Sequence, residues 1–172
     1  MKNMKPEDII QNKFGIPIID GISTENLTLI TNAKFITRTT EKDFHCRDND
    51  YKFCLVHENG GFSEPIFIMD FFLRKNDRLM QLMKEEPYIK LELLYVVKDT
   101  LRRQGIATFY IKKLIKYAKE ENITCIKVVP NPEATNFEKD SKINALDLEQ
   151  LVAFYKKFEN NDIRIKLIET GV

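Results

Sequence analysis

Leu91-Glu92-Leu93-Leu94-Tyr95-Val96-Val97-Lys98-Asp99-Thr100-Leu101-Arg102-Arg103-Gln104-Gly105-Ile106-Ala107-Thr108 is the stretch that decides the fold. An apolar strand, Ile89 to Val97, runs into a short basic loop with a single glycine, and the loop turns at once into a helix over Gly105 to Glu121. The nearly continuous apolar character of the strand predicts burial on both faces, as in a central strand. Along the helix Ala107, Tyr110, Ile111, Leu114, Ile115 and Ala118 recur at helical spacing, and Lys112, Lys113, Lys116 and Lys119 fall outside that face. Asn122 ends it. Ile123 to Val129, rich in β-branched residues, is the next strand. Strand, helix and strand together read as a parallel crossover.

Downstream, Pro130 to Lys142 is a long polar loop. Asp147 and Gln150 have the spacing of a capping box. They open a helix with Leu148, Leu151, Val152, Tyr155 and Phe158 on one side, and Ile163 to Ile168 is a last strand. Upstream, Pro6 to Lys13 reads as a short helix with Glu7 and Asp8 in its first turn. Asn26 to Thr39 reads as a strand or bent pair of strands, with Leu27, Leu29, Phe35 and Thr37 alternating against polar neighbours. Lys42 to Asp50 is loop-like. Tyr51 to His57 alternates as a strand, Glu58-Asn59-Gly60-Gly61 has hairpin-turn chemistry, and Pro65 to Arg74 is the partner strand. Asn76 to Glu86 is a short helix closed by Pro87. The expected fold is α/β (α+β): a mixed, mainly antiparallel central sheet with helices on both faces, in one domain over residues 1–172.

Composition narrows the rest. The chain has 172 residues, 43% of them hydrophobic and 31% charged, with 12 Phe, which suits one soluble globule with a sizeable core. Its 27 Lys+Arg against 26 Asp+Glu leave a formal net charge of +1, so any cationic function must come from a local cluster. Met1 to Asp8 lacks the apolar core of a signal peptide, and no stretch approaches the ~20 apolar residues of a membrane span. Three cysteines without paired spacing argue against a disulfide framework. A cytoplasmic, reduced protein is expected.

The loop aims several backbone N–H groups and the positive end of a helix dipole at one spot, which binds phosphate. It lacks the Gly-Lys-Ser/Thr ending of a P-loop and the three glycines of a dinucleotide fingerprint. A single glycine at Gly105 and the small Ala107 let backbone amides approach a diphosphate. Arg102 and Arg103 add positive charge beside those amides, unless they are merely solvated loop residues.

Arg102-x-x-Gly105-x-Ala107, between a strand and a helix and with Val97 at the usual distance upstream, resembles the signature of the GNAT superfamily of N-acetyltransferases. Leu151-Val152-Ala153-Phe154-Tyr155-Lys156-Lys157-Phe158 is similar to that family's later helix, and the resemblance runs from Lys90 to Phe158. It implies acetyl-CoA as co-substrate and an amine acceptor, a small molecule or a peptide, attacked directly in a ternary complex. It implies that the amides of Arg103, Gln104, Gly105, Ile106, Ala107 and Thr108 hold the pyrophosphate, and that the pantetheine arm pairs with backbone groups near Tyr95 and Val97. A strand amide at Val96 or Val97 would meet the oxyanion. It makes 1–88 the acceptor-side half and 89–172 the acetyl-CoA-binding half.

Tyr155 matches the family's tyrosine near the sulfur. A phenol with a reference pKa of about 10 is protonated at neutral pH and able to donate to a leaving thiolate. The same residue sits on the apolar helix face, where a core aromatic is also expected. Glu92 interrupts an apolar strand, a costly place for a charge, and is the candidate base, directly or through a water; its alternative is a pairing with a lysine near the strand's end. His45, Cys46, Cys54 and His57 lack metal-site geometry, because Cys54 and His57 are three apart in a strand, and no metal is expected. Cys125 reads as a small core residue. The lysine face of the helix has no interleaved aromatics, so no nucleic-acid partner is expected, nor a membrane. A monomer or homodimer fits the resemblance. Two departures stand out: Glu159-Asn160-Asn161 replaces the family's Gly-Phe pair, and Asn26 to Phe53 shows little helical pattern. They keep open a second reading, a non-catalytic module with the same fold and a regulatory or interaction role.

Overall fold

The computed structural model describes residues 4–31, 51–132 and 141–169. Helix α1 (Pro6–Ile9) has Pro at its start and continues as a π-helical turn, Ile10–Phe14. Among the described residues six strands form one open sheet: β1 (Leu27–Ile30), β2 (Tyr51–Asn59), β3 (Phe62–Arg74), β4 (Tyr88–Val96), β5 (Cys125–Val128) and β6 (Arg164–Leu167), in the spatial order of the chain. Strands β1 to β4 pair antiparallel, and β4–β5 and β5–β6 pair parallel. The mixed, mainly antiparallel sheet expected from the sequence is therefore the observed one. The expected strand at Asn26 to Thr39 is seen over Leu27–Ile30; its continuation, with Phe35, Thr37 and Lys42 to Asp50, lies outside the described residues, as do His45 and Cys46. No helix among the described residues is long and apolar enough to cross a membrane.

Local chemistry explains the elements. Gly60 and Gly61 sit at φ 58° and 88°, the left-handed pair that a two-residue hairpin turn needs, and Asn59 faces Phe62 across it. Asp77 caps helix α2 (Arg78–Met83) by accepting from Leu79 N at 3.0 Å. Of that helix's apolar residues only Met80 is buried. Helix α3 (Ile106–Glu120) buries Tyr110, Ile111, Leu114, Tyr117 and Ala118 and joins β4 to β5. Helix α4 (Leu148–Lys156) joins β5 to β6, and its capping box is present, with Asp147 Oδ1 2.8 Å from Gln150 N and Gln150 Oε1 3.2 Å from Asp147 N.

The larger core cluster collects residues from α1, the π turn, α3 and α4 on one side of the sheet, with Phe67 stacked on Tyr110 at 4.5 Å between ring centres. A second cluster holds Cys54, Val56, Ile68 and Leu93. Strand β4 serves both, and the reason is a bulge. Asp70 faces Leu93 and Phe71 faces Leu91, so Glu92 is an extra residue opposite nothing on β3. Before it, Ile89 and Leu91 point into the larger cluster. After it the alternation resumes out of phase: Leu94 and Val96 pack on the larger cluster, while Leu93, Tyr95 and Val97 pack on the second. The strand is buried on both faces, as its apolar run predicts, but in two registers.

Candidate active site

Parallel pairing of β4 with β5 stops at Leu91 opposite Val128. Past the bulge, β4 leaves its neighbour, and a gap opens between them. Val97 N donates to Ile66 O at 3.0 Å, which turns the peptide groups of Val97 toward β3. In an antiparallel ladder, alternate residues face alternate sides. Tyr95, like Val97, thus faces β3, and Leu94 and Val96 turn their N–H and C=O groups into the gap. This corrects the expectation for Val97: its amide is already used, and it cannot meet an oxyanion. The Val96 N–H faces the gap instead. The strand edge open to the gap is that of Leu94 and Val96, while the peptide groups of Tyr95 and Val97 face β3.

The loop delivers a helix terminus to the same gap. A 3-10 turn, Asp99–Leu101, leads to Arg103 at φ 63° and Gly105 at φ 85°. Gly105 is the N-cap of α3 and brings no side-chain cap; the first backbone bond of the helix runs from Phe109 N to Gly105 O at 2.9 Å. Among the described residues nothing accepts from the amides of Gly105, Ile106, Ala107 and Thr108. A Cβ built at Gly105 meets nothing within 4 Å, so the space in front of these amides is open. Glycine serves both needs here, the left-handed φ and the bare approach.

These groups line one cavity of about 850 Å³, within the usual range for a ligand site. Its wall includes Glu92, Tyr95, Val96, Arg102, Arg103, Gly105, Ile106, Ala107, Thr108 and Tyr155. Of the residues singled out from the sequence, Val97 and Gln104 do not line it. Gln104 turns its side chain back, with Nε2 2.7 Å from Thr100 O.

The two arginines keep their charge beside the cavity but spend most of their bonded donors on the protein's own oxygens. Arg102 donates from Nε to Val96 O at 3.1 Å, from Nη1 to Ser141 O at 2.5 Å and Ile143 O at 2.9 Å, and from Nη2 to the Tyr95 hydroxyl at 3.3 Å. Arg103 donates to Asn144 O and Ala145 O, both at 3.3 Å. A planar guanidinium fork suits carbonyls converging from several directions, and here the carbonyls belong to the segment 141–145. That segment lines the cavity through Ser141, Lys142, Asn144 and Ala145, and only its first two residues fall in the polar loop expected over Pro130 to Lys142. The signal for it was the Arg102-Arg103 doublet, which has more donors than a loop of this length needs. Asn136 and Phe137, from the earlier part of the same loop, lie outside the described residues.

Tyr155 is 6% exposed, belongs to the larger core cluster and also lines the cavity. Burial pushes its phenol above the ordinary tyrosine range, so the hydroxyl stays protonated. No described residue hydrogen-bonds to it. Glu92 lines the cavity with its side chain 26% exposed, and Lys90 Nζ lies 3.2 Å from its Oε1. Both alternatives weighed for Glu92 thus describe it: a carboxylate at the cavity and a partner to a lysine. Among the described residues no three metal-ligating side chains cluster.

A family model described as the acetyltransferase (GNAT) family matches residues 37–139, more than half of the chain. The protein belongs to the acetyltransferase (GNAT) family. Comparison with curated proteins and with solved structures gives no match. In this GNAT chain the match covers β2 to β5 and the whole loop from Val97 to Gly105, and it ends before α4. The helix that carries Tyr155 is placed by the geometry alone.

Proposed function

We propose that the protein is an acetyl-CoA-dependent N-acetyltransferase that carries an acetyl group directly to an amine in a ternary complex. One observation carries this reading: an uncapped helix terminus and the unpaired edge of a strand face the same cavity, and a buried phenol opens into it. The donor set fits the ligand. A diphosphate needs N–H groups and no side-chain obstruction, which residues 105–108 offer. An arm bearing amides needs an extended edge, which Leu94 offers, since Arg102 takes the Val96 carbonyl and the Val96 N–H meets the oxyanion.

Acetyl-CoA supplies an acetyl thioester. The chain's own groups then have three tasks. Glu92, directly or through a water, accepts the proton of the attacking amine. Val96 N–H donates to the oxygen that becomes negative as nitrogen bonds to the acetyl carbon. As the carbon–sulfur bond breaks, Tyr155 gives its proton to the leaving thiolate, and the products are the amide and a free thiol. The half over residues 1–88 shapes the acceptor side in this reading.

The test has two stages. Acetyl-CoA at ~100 times its Kd adds about 2.7 kcal/mol of stability, so the protein's melting temperature rises with the ligand. An amine panel then identifies the acceptor by release of free thiol. Absence of the shift removes the assignment; a shift with no thiol from any amine leaves a binding module in place of an enzyme.

A further inference from the structure

We infer that Arg102 is a positioning residue: it fastens segment 141–145 to the end of β4 and so sets where Tyr155 stands relative to the amides of α3. The inference rests on the proposed acetyl transfer and adds a residue to it that touches no substrate.

The segment has little burial to hold it. Ser141 to Asn144 are exposed, with Ile143 at 65%. What holds it is bonding. The Arg102 guanidinium spans Val96 O on one side and the carbonyls of Ser141 and Ile143 on the other. Arg103 and Asp99 add ties from the same loop, the latter through Ser141 Oγ at 2.9 Å and Asn144 Nδ2 at 3.4 Å. Two residues after Ala145 comes Asp147, the N-cap of α4, whose capping box passes the chain's direction into the helix bearing Tyr155. The loop that presents the helix terminus and the strap that launches the tyrosine helix are therefore one bonded unit with Arg102 at its centre.

Arg102 also edits the strand edge. By taking the Val96 carbonyl it leaves only the N–H of that residue for a ligand. Four of the five N–H donors of the guanidinium are spent on protein oxygens, so the fork is committed to the strap rather than to a bidentate grip on a phosphate.

Charge and shape separate in two variants. Arg102→Lys keeps the charge and loses the fork; Arg102→Gln loses both. With the acceptor from the thiol screen, each lowers kcat at least tenfold, while KM and Kd for acetyl-CoA change less than threefold. Hydrogen exchange at the Ala145 amide, bonded to Lys142 O at 3.1 Å, speeds up in both. If lysine preserves and glutamine loses acetyl-CoA affinity tenfold, with kcat intact, the residue binds phosphate and the inference falls. It falls equally if exchange in the strap stays unchanged. Should the Arg102 variants not fold, Arg103→Gln, at an exposed site, lowers kcat severalfold at constant KM, and an unchanged kcat overturns the inference. Wild type that does not bind acetyl-CoA overturns the underlying reading instead, and shows it before any variant is made.

Discussion

Gly105 carries two constraints that one substitution pair separates. Alanine at φ 85° brings backbone strain and nothing else; glutamate brings the same strain and an anion in the open space before the helix terminus. Gly105→Ala is expected to lower the melting temperature of the free protein yet keep most of the acetyl-CoA shift. Gly105→Glu is expected to abolish that shift, measured against its own ligand-free transition. Equal shifts in both would remove the diphosphate from this loop. Tyr155→Phe separates chemistry from packing in a similar way, because it deletes one oxygen from a ring that remains buried. Turnover should fall at least tenfold with acetyl-CoA affinity unchanged; joint loss of both would make Tyr155 a core residue only. Since burial raises the phenol, its acid form persists through the pH range in which the amine loses its proton. The pH profile of kcat should then rise to a plateau and show no alkaline fall below about pH 10; a fall near neutrality that vanishes in Tyr155→Phe would refute the acid role. Gly105 and Glu92 were visible in the sequence because each breaks a local rule, one glycine in an otherwise bulky loop and a charge in an apolar strand, whereas Tyr155, on an apolar helix face, stood out only through the family resemblance. The fates of Arg102 and Val97 were not visible, since both depend on what stands opposite them. Ser141 and Ile143 are distant in sequence from Arg102, and Ile66 is distant from Val97.

At the scale of elements, the period of the apolar residues made the helices and hairpin legible. The capping box at Asp147 and the Gly60-Gly61 turn are local codes that need no tertiary information. The bulge in β4 was hidden because an apolar run has no alternation to interrupt. Helix α2 shows the opposite case: its apolar residues suggested packing, but a six-residue helix between two long strands rests on Met80 alone. Asp147 links element stability to function. Asp147→Ala should cost about 1 kcal/mol through loss of the cap. It should also lower kcat, because the first turn of α4 frays on the path to Tyr155. Thermal unfolding measures the first effect and initial rates the second; a stability loss with full turnover would free Tyr155 from its helix start. The edge strand β6 has its own device. Ile165, on its outer side, donates to Glu159 Oε2 at 2.9 Å and accepts from Lys156 Nζ at 3.1 Å, so part of that edge is already occupied by charged side chains.

One cluster buries aromatic side chains from the π-helical turn, β2, β3, α3 and α4, and Cys54 lies in the smaller one with no exposed surface. Desolvation pushes its thiol up to about 12. Alkylation of Cys54 at neutral pH, followed by peptide mass analysis, should therefore proceed only at the rate of global opening and accelerate with denaturant. Rapid labelling of the native protein would mean that this side of the sheet opens by itself. Mixed topology follows from order in the chain, hairpins first and crossovers after, which is why the sequence was enough for the sheet. One residue, Glu92, then decides what kind of sheet it is. Remove it, and β4 would keep a single phase from Tyr88 to its end. Leu94 and Val96 would then follow Ile89 and Leu91 on one face without a break, and no local irregularity would part β4 from its parallel neighbour. The cleft is in effect a frameshift written into a strand: a single inserted amino acid trades a seamless wall for a doorway.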